Sequence, residues 1–177
     1  MNKKPSKSRP SRRSNSQVLK GIRLFVTDVD GVLTDGGMYY SESGQEMKKF
    51  NVWDGMGIKL LQAAGVLTGI ITALDTNLVA QRGIDLKIPE VHQGVQNKLD
   101  VLQRLADKHG LKFQEIAYMG DDINDLAALQ SVGFSASPAN GRPEIRQAVH
   151  HICKAKGGEG AVREIVDLIL QAKGVMP

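Results

Sequence analysis

The sequence predicts an α/β fold, a Rossmann-like parallel sheet flanked by helices, and three observations carry that expectation. From Ile22 onward, short β-rich runs alternate with amphipathic helical patterns, the order produced when helices cross over between parallel strands. The strand-like runs are apolar nearly throughout, as strands are when both faces are covered. Each of the central runs ends in small or polar residues, which is where a chain leaves a sheet.

The elements follow in order. IRLFVT (22–27) reads as the first buried strand. MYYSESGQEMKKF (38–50) breaks the alternation, because two short runs flank Ser43-Gly44, a turn signal that predicts a small β-hairpin inserted after that strand. VLTGIIT (66–72) and IAYMG (116–120) are the other central strands. Between them, residues 97–109 place Val101, Leu102, Leu105 and Ala106 at helical spacing. Weaker strands at 132–136 and 149–153 extend the sheet. In the last helix, Val162, Ile165, Val166, Ile169 and Leu170 recur at i, i+3, i+4, i+7 and i+8.

Bulk properties narrow the class. A chain of 177 residues with 41% hydrophobic and 24% charged residues fits one globular domain. The longest apolar stretch, Ala63 to Ala73, is interrupted by Gly65, Thr68, Gly69 and Thr72, well short of the roughly 20 residues that span a bilayer. The formal charge is +4, yet Lys3, Lys4, Lys7, Arg9, Arg12 and Arg13 exceed that sum alone, so the basicity belongs to the N-terminal segment. Residues 1–19 are expected to be a disordered basic tail and 20–177 the folded domain, since the tail has little apolar area to offset its ordering entropy. Without interleaved aromatics or a folded basic face, that tail makes a poor nucleic-acid site. It leads into no apolar signal-peptide core, and Cys153 is the sole cysteine; a soluble, cytoplasmic protein without disulfides is expected.

Ligands of open α/β sheets bind beyond the carboxyl ends of the strands, so the residues after each strand come first. The first strand runs into Asp28-Val29-Asp30-Gly31-Val32-Leu33-Thr34, the second ends at Thr72, Lys98 opens a helix, and the third strand runs into Gly120-Asp121-Asp122-Ile123-Asn124-Asp125. Carboxylates this dense repel one another without a cation, and hard oxygen ligands suit Mg²⁺. A phosphomonoester dianion also needs its charge offset before a carboxylate can attack phosphorus, which the metal and Lys98 would do.

DVDGVLTD, Thr72, Lys98 and GDDINDL, in that order on those elements, resemble the four motifs of haloacid dehalogenase phosphatases. The resemblance implies Asp28 as nucleophile and metal ligand, Asp30 as general acid and base that also ligates through its carbonyl, and Asp121 as the remaining protein ligand. It further implies that Thr72 and Lys98 hold the phosphoryl group, with Asp122 and Asp125 behind the ligands or capping. FNVWDGMGIKLL (50–61), HQGVQNK (92–98), AYMGDDINDL (117–126) and KGGEGAVREIVDLIL (156–170) narrow the likeness to 3-deoxy-D-manno-octulosonate 8-phosphate phosphatases and relatives acting on nine-carbon sugar-acid phosphates. Those are capless homotetramers of lipopolysaccharide and sugar-acid metabolism, in which the hairpin builds an intersubunit barrel and neighbours complete each site. By this resemblance Asp30, Asn51, Val52, Trp53, Asp54, Gly55, Lys59, Arg82 and Lys98 contact substrate, and the glycine-rich segment before Arg163 closes over a site.

Two positions depart from the pattern. Trp53 stands where the family commonly has arginine, and Ala73-Leu74 follows Thr72 where one branch has Gly-Arg and the other Gly-Glu. Arginine is the natural partner of a sugar-acid carboxylate, and neither Trp nor Leu replaces it. The resemblance implies Mg²⁺-dependent hydrolysis of the octulosonate phosphate, and these two positions bear on the substrate and not on the chemistry. A nine-carbon ulosonic acid phosphate or another sugar phosphate is the alternative substrate, and a non-catalytic tetrameric binding protein the alternative class.

Overall fold

The computed structural model describes residues 15–175. In chain order these residues form α1 (Asn15–Lys20), β1 (Leu24–Thr27), β2 (Tyr39–Tyr40), β3 (Glu46–Met47), α2 (Val52–Ala63), β4 (Leu67–Ile71), α3 (Asn77–Leu86), β5 (Glu90–His92) and α4 (Lys98–Lys108). Beyond these come β6 (Ile116–Met119), α5 (Leu126–Ser131), β7 (Phe134–Ser137), α6 (Pro143–Ala148), β8 (His151–Ile152) and α7 (Ala161–Lys173).

Six strands make one parallel sheet in the order β5-β4-β1-β6-β7-β8. The chain winds outward from β1 through β4 to β5, then returns to build β6, β7 and β8 on the other side, so strand order reverses at β1. That reversal opens a crevice at the carboxyl ends of β1, β4 and β6. Thr27 lies level with Ile70 and Met119, which brings the residues after all three strands to one edge.

Successive β1 side chains enter opposite layers, as the two-residue strand period requires. Phe25 packs with Ile58, Leu61, Val162, Ile165, Val166 and Ile169 of α2 and α7, while Leu24 and Val26 pack with Val101, Leu102, Leu105 and Leu129 of α4 and α5. Each such fully buried aliphatic side chain contributes about 1.5–3 kcal/mol. The hairpin forms as expected: β2 and β3 pair antiparallel, with Gly44 at φ 79° in the turn. No helix among the described residues is long and apolar enough to cross a membrane.

One expected boundary is corrected here, and one strand was not expected. The boundary placed after residue 19 falls inside α1, because Leu19 is buried in the core and Val18 packs against it. The basic composition of the tail masked these two apolar residues; residues 1–14 lie outside the described region. β5 carried no strand signal, since Val91 is its only apolar residue and its buried residue is Glu90, held by Lys108 and His109 at 2.7 Å and His92 at 3.2 Å.

Candidate active site

β1 delivers Asp28 to the crevice at 5% exposure. Its Oδ1 accepts from the Val29 amide at 2.7 Å, and its Oδ2 lies 2.7 Å from Lys98 Nζ. Lys98 reaches inward because it opens α4, behind an N-cap Asn97 that accepts from the Leu99 amide. Burial opposes the Lys98 charge, but Asp28 and Asp125 outweigh it and raise its pKa.

β6 delivers the second carboxylate group through Gly120 to Asp125. Asp125 is fully buried and saturated: Oδ1 accepts from Lys98 and from the Tyr118 hydroxyl, Oδ2 from the amides of Asp121 and Asp122. It therefore shapes the loop, with all four of its hydrogen-bonding positions taken. Asp122 is exposed and caps the following 3₁₀ turn through the Ile123 amide.

Asp121 differs. Its Oδ1 is buried with no hydrogen-bond partner. Burial, then repulsion from Asp28 and Asp125, lifts its pKa to about 7. Burial and Asp125 likewise lift Asp28 to about 7 against the pull of Lys98. Carboxylate oxygens of Asp28, Asp121 and Asp125 lie within 4.8 Å of one another. With all groups ionised, three carboxylates (Asp28, Asp121 and Asp125) meet one ammonium group, that of Lys98. An orphaned carboxylate oxygen beside a doubly under-compensated, all-oxygen donor set fits a hard divalent cation such as Mg²⁺.

Gly31 makes the approach of the two loops feasible. It sits at φ 80°, and a Cβ there would overlap the Asp121 carboxyl group. Asp28, Asp30, Thr72, Asp121, Asp122 and Asn124 line a cavity of about 300 Å³, whose remaining wall includes Ala73 and Leu74. The hairpin folds back on the same loop: Lys48 meets Asp30 at 2.6 Å, Tyr39 donates to Asp35 at 2.6 Å, and Phe50 bridges Thr34.

The structure thus brings Asp28, Asp30, Thr72, Lys98 and Asp121 together. It does not bring Asn51, Val52, Trp53, Asp54, Gly55, Lys59 or Arg82 to the cavity of their own chain. Asn51 N-caps α2 through the Trp53 amide and donates to the Gly158 carbonyl. Arg82 donates to the Asn51 carbonyl and lies 5.2 Å over the Phe50 ring. Asp54 is buried and accepts from the Arg163 amide at 2.7 Å, supplying the cap that Gly160, the N-cap of α7, has no side chain to provide. Burial raises the Asp54 pKa, while the amides of Arg163, Gly160 and Val162 oppose the rise. Gly55 is buried beside Arg82; Val52, Trp53 and Lys59 are exposed.

The glycine-rich segment packs behind the catalytic loop of its own chain. The Gly158 amide donates to Val32, and a Cβ at Gly157 would overlap the Gly31 carbonyl. Arg163 pairs with Asp167 at 2.7 Å. Sequence reasoning missed Lys48 and Tyr118. Tyr118 was readable only as core, although it stands two residues before Gly120; Glu46 and Lys48, two apart on the hairpin, were the sign of one shared face.

A family model for haloacid dehalogenase-like hydrolases matches residues 83–165. The 3-deoxy-D-manno-octulosonate 8-phosphate phosphatase of Escherichia coli K12 is 39% identical over 155 residues, 88% of this chain and 82% of that protein. A probable YrbI family phosphatase from Pseudomonas syringae pv. phaseolica 1448a superposes with a TM-score of 0.89 at 45% identity, covering 91% of this chain and 92% of that one. The Moraxella catarrhalis 3-deoxy-D-manno-octulosonate 8-phosphate phosphatase, in complex with magnesium, phosphate and KDO, superposes with a TM-score of 0.88 at 40% identity, covering 90% and 91%.

Proposed function

Because the chain belongs to the haloacid dehalogenase-like hydrolases, among the 3-deoxy-D-manno-octulosonate 8-phosphate phosphatases, we propose that it hydrolyses that sugar-acid phosphate through a phosphoaspartyl intermediate on Asp28. The observation that carries the reading is the buried Asp28, held by Lys98 and facing the unpartnered oxygen of Asp121. The carboxylates of Asp28 and Asp121, with the carbonyl of Asp30, would hold Mg²⁺, which would supply the positive charge that offsets the phosphate.

Asp28 attacks phosphorus, forming an acyl phosphate as the bond to the sugar oxygen breaks. Asp30 gives its proton to that oxygen, which leaves poorly as an alkoxide. Asp30 then takes a proton from water, whose oxygen displaces Asp28 and releases inorganic phosphate. Thr72 donates to the phosphoryl oxygens, and Lys98 keeps Asp28 aligned while countering charge that builds on the phosphoryl group. Lys98 does this without reorienting, because Asp125, itself held by the Tyr118 hydroxyl, fixes it in place.

Ala73 and Leu74 favour keeping a second substrate in view, since this wall offers no cation to a sugar carboxylate. A purified panel of eight- and nine-carbon ulosonic acid phosphates and simple sugar phosphates decides the matter. The highest kcat/KM is expected for 3-deoxy-D-manno-octulosonate 8-phosphate; a tenfold preference for a nine-carbon acid would transfer the assignment.

The same reading includes a cytoplasmic homotetramer serving lipopolysaccharide synthesis. Tyr40, Met47, Val52, Trp53 and Met56 are more than half exposed, an apolar surface suited to a second copy. Val52, Trp53 and Lys59 are free to reach a neighbouring cavity, while Asn51, Asp54, Gly55 and Arg82 hold their turn in place.

A further inference from the structure

The fold buries a second lysine against a loop carboxylate. The Lys48 side chain is 1% exposed; its Nζ donates to Asp30 Oδ1 at 2.6 Å and lies 3.2 Å from Glu46 Oε1. A lysine on a two-stranded hairpin has no need to be there, as its neighbour Lys49, 54% exposed, demonstrates. Taking an ammonium from water costs several kcal/mol unless its partners compensate, and here Asp30 and Glu46 compensate. Glu46 Oε1 is itself buried with no hydrogen-bond partner, which leaves the Lys48 charge as its counterpart. Glu46 and Lys48 thus form a short chain of charge that ends on Asp30, its ammonium covered and its two carboxylates, 26% and 27% exposed, partly open.

Lys48 does not line the cavity; Asp30 does. With the ammonium fixed on Oδ1, Asp30 carries its transferable proton on Oδ2, because a protonated oxygen would face the ammonium as donor to donor. Among the described residues no donor holds Oδ2. We infer that Lys48 is a positioning residue: its ion pair fixes which Asp30 oxygen meets the leaving group and the hydrolytic water, and so ties the hairpin to proton transfer. The inference rests on the phosphatase reading above. Lys48 keeps its own protons throughout, and the proton that moves is that of Asp30.

The test uses the full-length protein with Mg²⁺ and two substrates that differ in leaving group. An alkyl ester such as the sugar-acid phosphate needs a proton on its departing oxygen, whereas p-nitrophenyl phosphate releases a stable phenolate. Lys48→Met should lower kcat for the alkyl ester by about 10- to 100-fold, as a misplaced proton donor does. Turnover of p-nitrophenyl phosphate should fall by less than about threefold, since its leaving group needs no general acid. Lys48→Arg, which keeps the cation, should recover most of the loss. Equal losses on both substrates, or no loss on the alkyl ester, would overturn the positioning role. Lys48→Gln, read the same way, guards against a folding defect specific to the Met variant. A wild-type protein inactive on both substrates would sink the phosphatase reading itself, a result distinct from an active enzyme whose leaving-group dependence ignores Lys48.

Discussion

Lys98 Nζ lies 2.7 Å from Asp28 Oδ2, and the same ammonium lies 2.8 Å from Asp125 Oδ1. One buried cation therefore serves two carboxylates from different strands, while Asp121 beside them feels its charge but has no hydrogen bond to its Oδ1. Asp28, the proposed nucleophile, is aligned by an ion pair, while the deficit of positive charge sits beside the unpartnered Asp121 oxygen. Asp28→Asn keeps the shape of this arrangement but cannot form an acyl phosphate. Its kcat should fall by at least about 1,000-fold, given what a covalent nucleophile contributes, with circular dichroism unchanged. Phosphate release near the wild-type rate from the purified variant would exclude Asp28 as nucleophile.

Asp125 and Tyr118 separate alignment from chemistry. Asp125 accepts four hydrogen bonds, and an amide at that position turns one acceptor into a donor facing Lys98 and Tyr118 or two backbone amides. Asp125→Asn should cost about 2–4 kcal/mol of stability, the penalty for unpaired buried groups, and should displace both Lys98 and the Asp121 loop. Tyr118→Phe removes one of the four bonds and should cost about 1 kcal/mol. Urea denaturation of the two variants gives the ordering; a Tyr118→Phe change as severe as Asp125→Asn would contradict the account of the loop.

The raised carboxylates predict how metal-free stability responds to pH. Asp28 and Asp121 titrate near 7 in the folded chain and have a reference value of 3.8. Between those limits the folded state holds more protons than the unfolded state, so stability falls as pH rises through the window. Glu90 is shifted the other way: burial would raise it, but Lys108, His109 and His92 outweigh burial and lower it from 4.5, so the stability it contributes is lost only as pH falls below about 4.5, outside the range from pH 6 to pH 8. The metal-free melting temperature should rise from pH 8 to pH 6, and Mg²⁺ should stabilise more at pH 8 than at pH 6. A Mg²⁺ effect independent of pH would argue against these two carboxylates as the metal site.

Gly31 offers a test of the approach between loops. Gly31→Ala places a methyl group where the Asp121 carboxyl stands and forces a non-glycine residue to φ 80°. The backbone cost alone is about 1–2 kcal/mol. Calorimetric Mg²⁺ affinity should drop by at least about tenfold for a loss of that size; unaltered affinity would mean that Asp121 can withdraw without cost.

The site was legible where chemistry and topology share one rule. Asp28, Thr72 and Asp121 follow buried strands, so reading strand ends located them. Lys98 was legible because it opens a helix in the expected motif order. The same logic fails for Lys48, which arrives 18 residues after Asp30 from a hairpin whose fold back onto the loop no local pattern encodes. It fails for Tyr118, whose strand is apolar for core reasons while its hydroxyl serves the site. β5 was hidden because its inward residue is Glu90, made tolerable by partners 18 and 19 residues away in sequence. The segment at 51–55 shows the reverse failure: the motif is present, yet within one chain its polar groups cap α2 and α7.

Trp53 reports on assembly. It is the only tryptophan, so intrinsic indole fluorescence comes from one place, the start of α2, where it is 65% exposed in a single chain. Val52 at 78% and Met56 at 54% flank it, and the hairpin adds Tyr40 at 61% and Met47 at 55%. Large apolar side chains exposed to this degree are costly in water and are stabilised by a second apolar surface. If four copies associate through this face, Trp53 should emit as a buried indole at micromolar concentration and shift to the red on dilution, in step with the loss of the tetramer in sedimentation velocity. Met56→Glu, which leaves the indole in place, should weaken the assembly, because it puts a carboxylate among exposed apolar side chains beside Trp53. A monomer with full activity and red-shifted emission at every concentration would refute the tetramer while leaving the chemistry of Asp28 intact.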